Sequence, residues 1–115
     1  EEVRSRIIES DVVILASRYE GMSVFALEAI AAGAPVIFSD AGGIANLVRG
    51  NGERFAAGDP ISLAAAWGRI LAATPQQFQE MSKASLELAS ELTPQIAAQK
   101  LIRFLRGTLY LQQNP

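Results

Sequence analysis

An α/β fold on a short parallel sheet is what this sequence predicts, and three observations carry the prediction. Two β-branched runs lack the polar alternation of half-solvated strands. A helical segment closed by glycine lies between them. The second half shows repeated cap-then-proline signals and no strand pattern.

Taken in order, residues Glu1 to Ser10 read as a helix preceding the first strand. Asp11-Val12-Val13-Ile14-Leu15-Ala16 is a continuous apolar run, so Val12–Ala16 is expected to be a strand covered on both faces. Ser23 to Ala32 is rich in Ala, Leu, Ile and Phe, with Ser23 suited to cap the helix and Gly33 to end it. Pro35-Val36-Ile37-Phe38-Ser39 is the second strand, with proline tolerated at its first position. Gly43 to Val48 reads as a short helix before Gly50. Arg54-Phe55-Ala56 is a weaker third strand, introduced by Asn51-Gly52 and ended by Gly58. Asp59 followed by Pro60 starts the first of three helices, over residues 60–73, 75–91 and 93–111, the later two opened by Thr74-Pro75 and Thr93-Pro94.

Strands joined by helices imply right-handed βαβ crossovers, hence a Rossmann-like three-layer arrangement of three strands followed by C-terminal helices. Doubly wound sheets usually hold about five or six strands. Three strands leave an unpaired edge, which points to a partial domain of a larger protein. The alternative is a small three-layer domain that hides its edge by dimerising.

Composition narrows the chemistry. The 115 residues contain no Cys and no His, and 10 Lys+Arg stand against 12 Asp+Glu for a formal charge of −2. Zinc sites, thiol nucleophiles, Ser-His-Asp triads and disulfides are excluded by residue type, and no metal is expected. The charge offers no field for a nucleic-acid backbone. The absence of Cys suits a reducing cytosol. No apolar run reaches the roughly 18 residues of a membrane span. What remains is chemistry run by carboxylates, backbone amides and Arg/Lys, or none.

Four places could carry it. Ser17-Arg18-Tyr19-Glu20-Gly21-Met22-Ser23 follows the first strand and leads into a helix, where open α/β sheets bind anions. The same pattern also describes an ordinary βα loop with a glycine turn and a serine cap. Glu28 is the only charge between Val24 and Phe38. On a helix apolar all round it needs a partner, and it is then expected to face the same cleft as the Glu20 loop. Otherwise it marks one solvated stripe. Asp40-Ala41-Gly42-Gly43 is a close-approach turn at the end of the second strand, with no Gly-x-Gly-x-x-Gly and no P-loop. Lys100, Arg103 and Arg106 lie beside Ile102, Phe104 and Leu105 on the last helix. They suit either an anionic lipid surface or, the favoured reading, a solvated face on a helix packed against the parent protein.

Glu20 and Glu28 do not suit a hydrolytic pair. With the helix starting near Ser23, Glu28 lies about 7–8 Å down its axis while Glu20 sits in the loop above. Such an arrangement holds separate parts of an extended ligand rather than flanking one bond.

Ala16-Ser17-x-x-Glu20-Gly21, Glu28-Ala29-Ile30-Ala31-Ala32-Gly33-x-Pro35-Val36-Ile37 and Ser39-Asp40-x-Gly42-Gly43-Ile44 together resemble the nucleotide-sugar-binding, C-terminal domain of GT-B glycosyltransferases. The resemblance is to the retaining family 4 type, also called glycosyl transferases group 1, whose Glu-x7-Glu motif is matched by Glu20 and Glu28. It covers residues 1–73 by motif, through Gly58-Asp59-Pro60, and the remainder by helical character only.

The resemblance implies that residues 1–115 are the latter part of the donor domain of an enzyme. That enzyme would move a hexosyl group from a nucleoside-diphosphate sugar to an acceptor with retention of configuration. No cofactor beyond the sugar nucleotide is implied. Glu28 would accept hydrogen bonds from the ribose, and Glu20, in the catalytic role, would lie near the donor sugar. The amides of Gly21, Met22, Ser23 and Val24 would contact sugar and distal phosphate, and Gly42 and Gly43 would shape the adjacent turn. Ala16 departs from a usual proline, Met22-Ser23 from a frequent Phe-Gly, and Asn46 from a glutamate. The basic pair that holds the diphosphate and the N-terminal acceptor-binding domain would lie outside this chain, so the 115 residues alone are expected to be inactive. Polysaccharide biosynthesis in the cytoplasm, with the inner membrane face as an alternative seat, is the implied setting. The rivals are a nucleotide-sugar 2-epimerase of the same fold and a non-enzymatic α/β interaction module. The response-regulator form of the latter lacks its acidic cluster, since Ser17-Arg18 stands after the first strand.

Overall fold

The computed structural model describes the backbone of residues 2–113 and the side chains of residues 2–107. Glu1, the first residue of the expected opening helix, lies outside the described residues. The elements run α1 (Glu2–Glu9), β1 (Val13–Leu15), α2 (Val24–Ala31), β2 (Val36–Ser39), a 3-10 turn (Gly42–Leu47), β3 (Gly52–Phe55), α3 (Pro60–Leu71), α4 (Pro75–Glu91) and α5 (Pro94–Gln113).

The three strands form one parallel sheet in the order β1-β2-β3. Val13, Ile14 and Leu15 stand opposite Val36, Ile37 and Phe38, and Val36 to Ser39 opposite Gly52 to Phe55. The third strand begins earlier than its apolar residues suggested. Pairing is a main-chain matter, and Gly52 and Glu53 extend the ladder despite carrying no apolar side chain.

Alternation of side chains along the strands divides the core in two. On one face Val13, Val36 and Phe38 pack with Ala26, Ala29 and Ile30 of α2, Ile44 and Leu47 of the 3-10 turn, and Leu88 of α4. On the other, Ile37 and Phe55 pack with Ala66 and Ile70 of α3 and with Phe78 and Met81 of α4. Ile37 and Phe38 are fully buried, each stabilising the fold by about 1.5–3 kcal/mol.

The expectation that β1 is covered on both faces is corrected. Ile14 is 40% exposed, because it shares the face of Ile37 and the helix on that face, α3, sits over β2 and β3. The predicted short helix over 43–48 is formed, as a six-residue 3-10 helix over Gly42–Leu47.

The helix starts were local signals and are formed as such. Ser23 accepts the amide of Ala26, and Asp59 accepts those of Ile61 and Ser62. Thr74 and Gln77 make a reciprocal capping box, with Pro75 at the first helical position. Thr74→Ala is expected to lower stability by about 1 kcal/mol in urea denaturation, with no change at the strand-end loops. An unchanged midpoint would show that Pro75 alone holds the start of α4. In α5, Lys100, Arg103 and Arg106 are exposed, and so are Leu101, Ile102 and Leu105. Ile96, in the first turn of α5, is half-buried, and residues 97–107 are all exposed. No helix among the described residues is long and apolar enough to cross a membrane.

Candidate functional site

The carboxyl ends of the strands bring three loops together. The first joins β1 to α2 and carries Glu20. Ser39, at the end of β2 and fully buried, donates its hydroxyl to the carbonyl of Ser17 at 2.6 Å. Ser17 in turn donates to Glu20 Oε2 at 2.9 Å. The loop is thereby tied to the central strand, with Glu20 half-buried while Tyr19 and Met22 project outward at 95% and 67% exposure.

The second loop is packed against the first, backbone on backbone. Gly42 has φ 54, and a Cβ there would overlap the carbonyl oxygen of Glu20. A Cβ on Gly43 would lie 2.8 Å from the carbonyl oxygen of Gly21. The paired glycines are therefore required by the approach of the Glu20-Gly21 backbone itself. The third loop, after β3, is joined by Asp40, whose Oδ1 accepts the Ala57 amide at 2.8 Å.

At the start of α2, Ser23 is buried and its two oxygens take the amides of Ala26 and Leu27. The amides of Val24 and Phe25 have no protein acceptor among the described residues. Open amides at the positive end of a helix favour an anion.

Glu28 is exposed, as the reading of it as the mark of a solvated stripe expects. Counting apolar letters treats Val24 and Ala31 as buried, yet both are exposed, so Glu28 lies on an open stripe of α2. Val24 and Glu28 are four apart and share that stripe. The Glu28 side chain makes no hydrogen bond or ion pair among the described residues. It opens on a cavity of about 520 Å³ between α1 and α2, lined also by Arg4, Ile7, Ile8, Ala31 and Ala32. Glu20 does not line this cavity. The two glutamates stand at different stations along α2, Glu20 above its start and Glu28 down its open face.

The structure places Glu20, Gly21 to Val24, Gly42 and Gly43 at the carboxyl ends of the strands and Glu28 further down α2; the Ser39–Ser17–Glu20 hydrogen-bond chain was not foreseen from the sequence. One signal was available: a serine closing an otherwise apolar buried strand must place its hydroxyl somewhere. Sequence reading also missed Arg4, Ile7 and Ile8 beside Glu28. Among the described residues no cluster of three or more acidic side chains could hold a metal ion.

The sequence profile of the family glycosyl transferases group 1 matches residues 1–73. The chain belongs to this family. The matched span of this group 1 glycosyltransferase chain includes every strand, the Glu20 loop, α2 and the Gly42-Gly43 turn. Among solved structures, it is similar to the sucrose-phosphate synthase of Thermosynechococcus elongatus, with a TM-score of 0.67 and 32% identity over 90% of this chain and 25% of that one. It is also similar to HepE of Anabaena, solved in complex with UDP, with a TM-score of 0.71 and 22% identity over 90% of this chain and 29% of that one. The group 1 chain thus spans between a quarter and a third of the length of these solved chains. A comparison with curated protein sequences finds no match.

Proposed function

We propose that this chain supplies the donor-binding edge of an enzyme that transfers a sugar from a nucleoside-diphosphate sugar to an acceptor with retention of configuration. One observation carries the reading: the half-buried Glu20, the open amides at the start of α2, and Glu28, exposed and without a hydrogen bond or ion pair among the described residues, follow one another along the chain from the loop into α2. An extended ligand with a sugar, a diphosphate and a ribose has polar groups in that order. Glu20 takes the donor sugar, holding its hydroxyls or stabilising positive charge at the anomeric carbon. The backbone of Gly21, Met22, Ser23 and Val24 meets sugar and distal phosphate. Glu28 accepts hydrogen bonds from the ribose hydroxyls, the partner it lacks among the described residues. Gly42 and Gly43 hold the Glu20 loop in place. Membership of the family supports the transfer chemistry.

In this reading residues 1–115 are the latter part of a donor domain. The acceptor site and the cations that neutralise the diphosphate belong to other parts of the protein, and α5 seats its exposed apolar residues there. The test is Glu28→Ala in the full-length protein, titrated calorimetrically with UDP and GDP. Loss of a hydrogen bond to a charged group is expected to weaken nucleotide binding about 10- to 150-fold. Affinity and turnover equal to the parent protein would remove Glu28 from the site and with it this reading.

A further inference from the structure

We infer that Ser17 and Ser39 are positioning residues that fix the Glu20 carboxylate for the transfer step, an inference resting on the donor-site reading of Glu20. Glu20 sits in a loop whose neighbours Arg18, Tyr19, Gly21 and Met22 are all exposed, and the Gly42-Gly43 turn packs against its backbone, not its carboxylate. Its side chain is held instead by one hydrogen bond, from Ser17 Oγ to Oε2. An ionised carboxylate only accepts, so the Ser17 hydroxyl must be the hydrogen-bond donor. The bond occupies one side of Oε2 and leaves Oε1 for the ligand.

Ser17 inherits its own place from the sheet. Ser39 is the last residue of the central strand and fully buried. A buried hydroxyl is costly without a partner, and the carbonyl of Ser17 is its acceptor at 2.6 Å. The carboxylate is therefore referred through two hydroxyls to the central strand, all four of whose residues are buried. Holding a charge at the place where opposite charge develops, without reorganisation, is what such a device contributes to a reaction.

The experiment measures kcat and donor KM in the full-length protein for Ser17→Ala, Ser17→Thr, Ser39→Ala, Glu20→Ala and the double variant Ser17→Ala/Glu20→Ala, with thermal midpoints for each. Ser17→Ala is expected to lower kcat about 10- to 100-fold with donor KM within about threefold of the parent. Ser17→Thr, which keeps the hydroxyl, recovers most of the lost turnover. Ser39→Ala moves kcat in the same direction and also lowers the melting temperature. The double variant is no slower than Glu20→Ala alone, because Ser17 acts only through that carboxylate. Equal losses in Ser17→Thr and Ser17→Ala, or additive losses in the double variant, would overturn the inference in favour of a merely structural serine. Full turnover in Ser17→Ala with turnover lost in Glu20→Ala would overturn it while leaving the donor-site reading intact. Full turnover in Glu20→Ala would remove both.

Discussion

Gly42→Ala is expected to destabilise the protein by about 2–5 kcal/mol and Gly50→Ala by only about 1–2 kcal/mol, although both glycines stand in the left-handed region. The backbone angle is comparable, φ 54 at Gly42 and φ 74 at Gly50, so the intrinsic penalty for a side chain is shared. What differs is the neighbour. A Cβ on Gly50 meets nothing within 4 Å, whereas one on Gly42 overlaps the carbonyl oxygen of Glu20. That oxygen cannot retreat freely, because its loop is tied to β2 through Ser17 and Ser39. The loop must move as a body and give up those bonds. Against a typical stability of about 5–15 kcal/mol, the larger figure is a substantial part of the whole. Urea denaturation of the two variants, with nucleotide titration of each, measures the difference. Equal destabilisation would mean that the Glu20 loop yields without cost and that the glycine pair serves only its own turn.

The same pair shows where sequence reading stops. Gly42-Gly43 reads correctly as a close-approach turn at the binding edge, but the partner in that approach is the Glu20-Gly21 backbone, more than twenty residues earlier. Local chemistry was legible. The runs Val12–Ala16 and Pro35–Ser39 contain β1 and β2, and Ser23, Asp59 and Thr74 cap the helices they were expected to cap. Each of those outcomes depends on residues within a turn of one another. The exposure of Ile14 was not legible, and that of Glu28 was one of two open readings, because each depends on which element lies over the side chain. Ile14 is apolar yet 40% exposed, since α3 covers the neighbouring strands. Glu28 sits in an apolar string whose letters carry no information about the opening between α1 and α2. The start of β3 was misplaced for a related reason: its first residue is a glycine, and a ladder of main-chain bonds leaves no mark in side-chain hydropathy. The candidate residues were thus named from motif and resemblance, while the bonds that orient Glu20 came only from the fold.

Asn51→Ala is expected to cost about 3–5 kcal/mol, since it strands two backbone groups at about 1–3 kcal/mol each and opens a cavity in the core. Asn51 is fully buried between the 3-10 turn and β3. Its Oδ1 accepts the amide of Arg49 at 2.7 Å. Its Nδ2 donates to the carbonyl of Leu47 at 3.1 Å and to Ser85 Oγ at 3.2 Å. Ser85, also fully buried, donates onward to the carbonyl of Ala34 at 2.7 Å. One side chain therefore links the turn after β2, the segment before β3, helix α4 and the segment leading into β2. Every buried polar side-chain atom among the described residues has a partner, so this network is fully satisfied and its loss is fully felt. Ser85→Ala removes only its outer half and leaves the Arg49 amide and Leu47 carbonyl paired, so it should cost less than Asn51→Ala. In the double variant the shared Asn51–Ser85 bond is lost once, and the two effects should sum to more than the measured total by about 0.5–3 kcal/mol. The network also bears on how α4, which lies beyond the family-matched span, is held to the sheet that carries the site. Ser82 and Ser85 bond to the carbonyls of Gly33 and Ala34, directly after α2. Hydrogen exchange in Asn51→Ala should therefore accelerate first in α4 while β2 stays protected. Strictly additive effects, or loss of protection in β2 before α4, would show that the asparagine supports the strand alone and does not join the helix to it.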